Sequence, residues 1–288
     1  MLTLLTGGGQ IEIEDINGNV FADTSGGHIT VGRVTGGNVE VDTSGGRIRI
    51  GDVDGDVSAD TSGGSIDIGN VIGSVYADTS GGTITIGDVQ GDVTADTSGG
   101  NINVGVTTGR VMLDTSGGTI RAAWAEGAIT ADTSGGNIFL AGSDTRVEAD
   151  TSGGNIEIEA SNGPVVADTS GGRIIIRRAV GPIEADTSGG SIDAELFNVS
   201  GNGDASVSLH TAGGDITMRI PSDLGASIVA ELNLSRRGFG RYQIYTDFPL
   251  SIQEEDDIII GRGDINGGGD RIRLRTTNSD INIISVED

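Results

Sequence analysis

Apolar and polar residues alternate along most of this chain in short runs that recur every 18 residues. In one repeat, Ile66 and Ile68 alternate with polar neighbours, and nine positions later Val75 and Ala77 do the same. Alternation with a period of two is typical of a β-strand that buries one face. Each repeat therefore predicts two strands of about five residues, separated by short turns.

The repeats are marked by the pentapeptide Asp-Thr-Ser-Gly-Gly, which occurs ten times. Its first spacing is 19 residues and the other eight are 18 residues. A fixed short period indicates a solenoid in which each repeat forms one coil. The three-sided hexapeptide solenoid also has 18-residue coils, but it needs apolar residues every six positions, and Asp78 breaks that spacing after Ile66. The pattern favours a flattened coil with two sheets.

Stacked coils place equivalent side chains in columns, ~4.8 Å apart. One predicted core column consists of isoleucines alone: Ile29, Ile48, Ile66, Ile84, Ile102, Ile120, Ile138, Ile156, Ile174 and Ile192. Two further apolar columns begin at Val31 and Val57. Because parallel crossovers are almost always right-handed, we expect a right-handed superhelix. The predicted fold class is all-β: a single-stranded parallel β-solenoid, with two sheets and 18-residue coils, that carries a C-terminal β cap.

The period ends near residue 197, which predicts two regions: a repeat array over 1–196 and an irregular C-terminal cap over 197–288. Five of the nine aromatic residues lie in the second region: Phe197, Phe239, Tyr242, Tyr245 and Phe248. Its alternating runs are also longer, which predicts longer, antiparallel strands. An irregular segment of this kind covers the open strand edges that a solenoid exposes at its end.

Composition excludes several kinds of chemistry. The chain has 51 Gly, no Cys and a formal net charge of −25, and all 17 basic residues are Arg. Without Cys there is neither a disulfide nor a thiol nucleophile. A charge of −25 argues against nucleic acid as a partner, since binding phosphates needs clustered cations. The sequence contains no apolar run of the ~20 residues that a membrane-spanning helix needs.

Met1–Leu5 does not have the features of a signal peptide, because no Lys or Arg precedes its few apolar residues. We expect that an export or anchoring segment is absent from this chain. We also expect an uncapped first coil that supports end-to-end self-association.

The ten repeat Asp residues are candidate cation ligands: Asp23, Asp42, Asp60, Asp78, Asp96, Asp114, Asp132, Asp150, Asp168 and Asp186. At ~4.8 Å in water, neighbouring carboxylates repel by roughly 0.9 kcal/mol before screening. The favoured interpretation is an Asx-type turn, in which each Asp accepts backbone N–H groups and the two Gly supply unusual backbone angles. The alternative is a row of Ca²⁺ ions between coils. The calcium β-roll signature is absent, since Ile replaces its third Gly. We therefore predict no cofactor and keep Ca²⁺ as the alternative.

Other motifs give little support to an enzyme. The residues His28 and His210 occupy repeat positions that other repeats fill with non-catalytic types, and the repeated Ser residues have no base beside them. The acidic and basic residues around Arg177 are predicted to form a solvated surface, and Arg262-Gly-Asp a turn before Ile265. Alternation from Ala77 directs each repeat Thr inward, which argues against an ice-binding array.

Several segments resemble the bacterial putative-adhesin family, cell-envelope β-solenoids described as toast-rack-like. The repeated Thr-Ser-Gly-Gly-x-Ile-x-Ile is similar to this family along nearly the whole chain. Further similarities lie near the C-terminus: Thr211-Ala-Gly-Gly-Asp-Ile-Thr, Tyr245-Thr-Asp-Phe-Pro-Leu, Gly263-Asp-Ile-Asn-Gly-Gly-Gly and Leu274-Arg-Thr-Thr-Asn-Ser-Asp-Ile-Asn-Ile. The last two of these segments are the more specific. The resemblance implies an exported or surface-associated bacterial protein with a structural or adhesive role and an unidentified cell-surface or glycan partner.

Together these features predict a non-enzymatic, extracellular or cell-envelope protein that acts as a rigid spacer or display scaffold. One alternative is a subunit of an extracellular fibre that assembles end to end. A further alternative is a binding scaffold stabilised by Ca²⁺, for which the melting temperature would rise strongly with that ion.

Overall fold

The computed structural model describes residues 1–198, 203–235 and 242–287, and every helix or strand in those ranges is a β-strand. Phe239 lies outside the described residues. The chain divides into two compact units, Met1–Gly142 and Ser143–Asp288. This division falls inside the regular array rather than at residue 197, where the 18-residue period ends. Both units are β-solenoids, with about eleven coils in all.

The first unit contains strands β1 to β18. In chain order they are Leu2–Thr6, Ile11–Ile13, Ile16–Asn17, Val20–Thr24, Ile29–Val31, Val34–Thr35, Val39–Thr43, Ile48–Ile50, Val57–Thr61, Ile66–Ile68, Val75–Thr79, Ile84–Ile86, Val93–Thr97, Ile102–Val104, Val111–Thr115, Ile120–Ala125, Ile129–Thr133 and Ile138–Ser143. Five-residue strands form one sheet, in the order β1-β4-β7-β9-β11-β13-β15-β17. Shorter strands form the other, in the order β2-β5-β8-β10-β12-β14-β16-β18.

Pairing in both sheets is parallel and joins each residue to its equivalent one coil away. Asp60 pairs with Asp78, and Ile66 pairs with Ile84. The isoleucine column is buried, with Ile66 and Ile84 fully inaccessible. The predicted solenoid of 18-residue coils with two sheets is therefore confirmed. Tyr76 points outward and is 46% exposed, because the packed β-branched core has no room for a ring.

In the sheet of five-residue strands, each strand extends further than the sequence pattern predicts. The strand β11 runs over Val75–Thr79 and therefore includes Asp78 and Thr79, which the sequence analysis placed in a turn. The alternation continues through these two residues, so Thr79 is buried and Asp78 is only half-buried. The prediction that the repeat Thr points inward is confirmed.

A third buried column, which the sequence pattern did not predict, runs along the stacked coils of each unit. Single β-bridges join Val34, Val53, Val71, Val89, Thr107 and Ala125 in the first unit. Ser143, Ser161 and Ala179 form the equivalent column in the second unit. All nine side chains are buried. A coil contributes only one residue to this column, and a single buried residue makes no period that a search for alternation could find.

The second unit contains strands β19 to β32. In chain order they are Val147–Thr151, Ile156–Ile158, Val165–Thr169, Ile174–Ala179, Ile183–Thr187, Ile192–Leu196, Val207–Thr211, Ile216–Pro221, Ala226–Asn233, Ile244–Thr246, Ser251–Glu255, Ile258–Ile265, Asp270–Thr277 and Ile281–Val286. One sheet has the order β19-β21-β23-β25-β31-β27-β30-β29 and the other β20-β22-β24-β26-β32-β28.

Antiparallel pairing is found at the C-terminal side of this unit, as predicted. The eight-residue strands β27 and β30 pair antiparallel, and β29 pairs antiparallel with β30. The strand β31 pairs parallel with both β25 and β27 and so joins the coils to this region. Arg262-Gly-Asp lies inside β30 and not in a turn, because β27 extends the ladder past it. The prediction of a turn there was wrong.

Candidate functional site

The most regular polar feature of the chain is the buried corner that follows each repeat Thr. The Thr79 hydroxyl donates to the carbonyl oxygen of Gly64 in the preceding coil, with an O···O distance of 2.8 Å. The same oxygen accepts the N–H of Gly82, three residues on, with an N···O distance of 3.3 Å. The equivalent pair of hydrogen bonds recurs at Thr61 and at Thr97. A hydroxyl can do both because it is a donor and an acceptor at once.

This geometry bears on the proposed role of the repeat Asp. The expected Asx turn would take an N–H two or three residues after the Asp, whereas the N–H seen to close the corner is that of Gly82, four residues after Asp78, and the Thr79 hydroxyl accepts it. The pair of Gly residues also has a different role from the one expected, since none of the corner glycines has a positive φ. A Cβ on Gly82 would lie 2.6 Å from the Cα of Ser65 and closer still to the carbonyl group of Gly64. The second Gly is therefore required by close packing between coils.

The repeat Asp residues form outward columns near the C-terminal ends of the five-residue strands. Asp23, Asp42, Asp60, Asp78, Asp96, Asp114 and Asp132 follow one another in register in the first unit. Asp150, Asp168 and Asp186 do so in the second. Partial burial and the neighbouring carboxylates raise the pKa of Asp42, Asp78 and Asp168. The columns thus hold like charges together at a cost in free energy.

Basic residues continue the Asp column of the second unit. Asp186 pairs in register with His210, and His210 pairs with Arg275. The Nδ1 of His210 lies 2.6 Å from the Oδ2 of Asp186, and Arg275 lies 3.2 Å from the Glu231 carboxylate. The degenerate repeat that begins at His210 therefore replaces a repulsive neighbour with an attractive one. His210 therefore has a carboxylate hydrogen-bond partner in this column.

Other acidic and amide side chains accept backbone N–H groups in the turns between coils. The Oδ1 of Asp52 accepts the N–H of Asn70 at 3.0 Å, and the Oδ1 of Asn70 accepts the N–H of Asp88 at 2.9 Å. In another turn, Asp56 accepts the N–H of Ser74 at 2.9 Å. Accepting this N–H, together with the Arg33 guanidinium, lowers the pKa of Asp52. Several of the acidic side chains therefore hold neighbouring coils together through hydrogen bonds to the backbone.

The remaining sequence candidates lie apart from one another. Arg177 lies 3.7 Å from the Glu157 carboxylate and 3.6 Å from that of Glu159, and all three are on the surface. The Asp264 carboxylate of the Arg-Gly-Asp segment accepts a hydrogen bond of 2.7 Å from the Ser227 hydroxyl. In the part of the chain that the structure describes, no group of three or more His, Asp or Glu is placed to hold a metal ion.

Comparisons with known proteins add no relative to this picture: no protein-family model, curated protein or solved structure matches the chain. The adhesin-family assignment therefore stays a prediction that rests on the motifs. No helix among the described residues is long and apolar enough to cross a membrane.

The Asp columns predict an unusual pH dependence. A carboxyl with a raised pKa binds protons more tightly in the folded chain than in the unfolded chain. Its stabilising contribution is therefore complete below the ordinary value of 3.8 and is lost as the pH rises through the raised pKa. We expect Asp78→Asn to stabilise the protein at pH 7, by less than about 1 kcal/mol, because it removes repulsion from Asp60 and Asp96. The gain should vanish near pH 3.5.

Urea unfolding of both proteins from pH 3.5 to 7.5 measures this difference. Asp52→Asn is the control with the opposite sign, because that pKa is lowered and the charge favours folding above the ordinary pKa. An Asp78→Asn protein that is less stable than the parent at pH 7 would show that the column contributes attraction, as bound cations would.

Proposed function

We propose that this protein is a non-enzymatic structural scaffold, exported or held at the cell surface, whose stacked coils space or display another group. The observation that carries the proposal is the exact repetition of the coil, in which strand residues, corner hydroxyls and turn carboxylates all bond to the next coil. A solenoid built in this way adds a fixed length per coil, since stability is a sum of coil and interface terms. Such a fold is compatible with a role that needs length and rigidity.

The non-enzymatic part of the proposal rests on how the candidate groups are used. His28 accepts the N–H of Arg47 at its Nδ1, and His210 bonds to a carboxylate. The repeat Thr residues are buried, and hydroxyls such as that of Thr79 bond to backbone groups. These candidate side chains thus bond to the backbone or to another side chain. Export and a cell-surface or glycan partner are supported by the resemblance to the putative-adhesin family.

The spacer role predicts that whole coils can be removed and that the length changes accordingly. Deleting residues 78–95 joins Ala77 to Asp96 and preserves every column. We expect this protein to fold, with spin labels on Cys introduced at Ser25 and Ser134 moving from ~29 Å to ~24 Å apart, because one coil contributes ~4.8 Å. Pulsed electron resonance measures the distance, and the absence of native Cys makes the labelling specific.

Deleting residues 78–86 is the matched control. It removes half a coil, so the Asp, Thr and Gly positions of one sheet would stack on the wrong partners, and we expect an unfolded chain by circular dichroism. A shorter chain that folds with an unchanged label distance would contradict the spacer role. Antibody binding to intact, unpermeabilised cells tests surface exposure separately, and binding only after permeabilisation would refute it.

The fibre alternative has one observation in its favour. Among the described residues, β1 has β4 as its single strand partner, and its Leu5 is 68% exposed. An unpaired strand edge is a template for another chain. In the second unit, the edge strand β29 is exposed along its whole length and carries Glu254 and Glu255, charges that disfavour edge pairing. Electron microscopy separates the two roles, since discrete particles at all concentrations exclude the fibre.

The scaffold as proposed needs no cofactor. We therefore expect the melting temperature to be the same with excess Ca²⁺ and after treatment with a chelator. A rise of many degrees with Ca²⁺ would favour the cation-stabilised alternative instead, because a ligand that binds only the folded state raises its stability.

A further inference from the structure

A surface groove in the first unit has a lining unlike the rest of this acidic chain. It has a volume of about 520 Å³ and is lined by His28, Thr30, Arg47, Arg49 and Ser65, with two backbone glycines. The structure describes every residue from 1 to 142, and the lining includes no Asp or Glu. Residues 1–142 contain 18 acidic residues and only five Arg, and two of those five lie here.

Strand register brings these side chains to one small area. Thr30 and Arg49 are paired neighbours on β5 and β8. In the row beside them, the N–H of Arg47 donates to the Nδ1 of His28 at 2.8 Å. Neighbouring strands are ~4.8 Å apart, and residues two positions apart on one strand are ~6.6 Å apart. The four side chains therefore stand at the corners of a rectangle on the scale of one oxyanion and its ligands.

The groove offers hydrogen-bond donors. Because the Nδ1 of His28 accepts a hydrogen bond, the proton of a neutral His28 ring is on Nε2, which is left as a donor. The guanidinium groups have donors alone, and the hydroxyls of Thr30 and Ser65 can donate. Two carboxylates flank these donors in the same row: Asp67 lies 3.9 Å from Arg49, and Glu12 pairs in register with Thr30.

We propose that this groove binds an oxyanion group: a sulfate, a phosphate or a carboxylate. Arg47 and Arg49 donate to its oxygens, and guanidinium groups suit this geometry because their planar forks match oxyanions. The Nε2–H of His28 and the two hydroxyls complete the donor set. The net charge of −25 weakens the approach of anions, but charges beyond the Debye length of ~8–10 Å are largely screened at physiological salt. A free ion and a sulfated or carboxylated polymer present the same group.

The test follows the ring signal of His28 by nuclear magnetic resonance during titration. The probes are sodium sulfate, sodium phosphate, sodium acetate and dextran sulfate, with sodium chloride holding the ionic strength constant. His28→Gln assigns the signal, since the chain has two His. We expect a saturable shift, and at least tenfold weaker binding when Arg47→Gln and Arg49→Gln are combined. Both side chains are exposed, so the variant should fold.

The matched control is Arg110→Gln, which removes an exposed positive charge from the same unit outside the groove. We expect its binding to stay within twofold of the parent protein. Equal weakening by Arg110→Gln, no weakening by the double variant, or a shift that sodium chloride reproduces would overturn the proposal. Dextran sulfate binding at least tenfold more tightly per sulfate group than free sulfate would identify a polymer as the source, and equal binding would identify the single ion. This proposal is independent of the spacer role, which label distances test.

Discussion

We expect Gly82→Ala to lower the free energy of unfolding by about 3 kcal/mol or more, a value at the upper end for single substitutions. A methyl group there would meet the backbone of Gly64 and Ser65 in the preceding coil, and the nearest atoms are backbone rather than flexible side chain. The coils would have to separate locally, which would also stretch the hydrogen bonds of Thr79. Equilibrium unfolding in urea measures the loss.

Gly81→Ala is the matched control, one residue earlier in the same corner. A Cβ at Gly81 would meet one atom within 4 Å, the Gly63 oxygen at 3.7 Å, which is an ordinary contact. Its φ lies outside the left-handed range, so Ala can adopt the same backbone conformation. We expect a change within about 0.5 kcal/mol, or a small gain from the less flexible unfolded chain. Equal losses at the two positions would contradict packing as the reason for the second Gly.

The second large effect is expected for Thr79→Val. Valine has nearly the same shape, so the core volume is kept, but the Gly82 N–H loses its acceptor and the Gly64 carbonyl loses a donor. An unsatisfied buried polar group costs about 1–3 kcal/mol, so we expect a total loss of roughly 2–4 kcal/mol. Thermal and urea unfolding measure it, and Thr79→Ser should recover most of the stability because its hydroxyl can restore both bonds.

Thr85→Val is the control for the hydroxyl itself. Thr85 lies at an exposed position of β12, between two buried isoleucines. Its hydroxyl faces water, so we expect a change within about 0.5 kcal/mol. If Thr79→Val and Thr85→Val had the same small effect, the buried hydroxyl ladder would contribute nothing beyond its volume.

The candidate sites show where reading the sequence succeeds and where it stops. Alternation directed Asp78 outward and Thr79 inward, and the structure confirms both directions. It did not show which of the two accepts the corner N–H, because both side chains can reach a nearby backbone group. The groove around His28 and Arg47 was also missed. These residues are 19 positions apart, and each looks like an ordinary member of a mixed outward row until the coils are stacked.

By itself the sequence determined the coil: its 18-residue length, its two alternating strands, its core columns and the change of pattern after residue 196. These follow from local periodicity, since the pleat of a strand fixes which residues are buried. The tertiary structure alone decided what stacking adds. It revealed the third buried column at Val71, the close approach that requires Gly82, and the pairing of Asp186 with His210. Each depends on atoms one coil away, a contact that no local pattern of residues encodes.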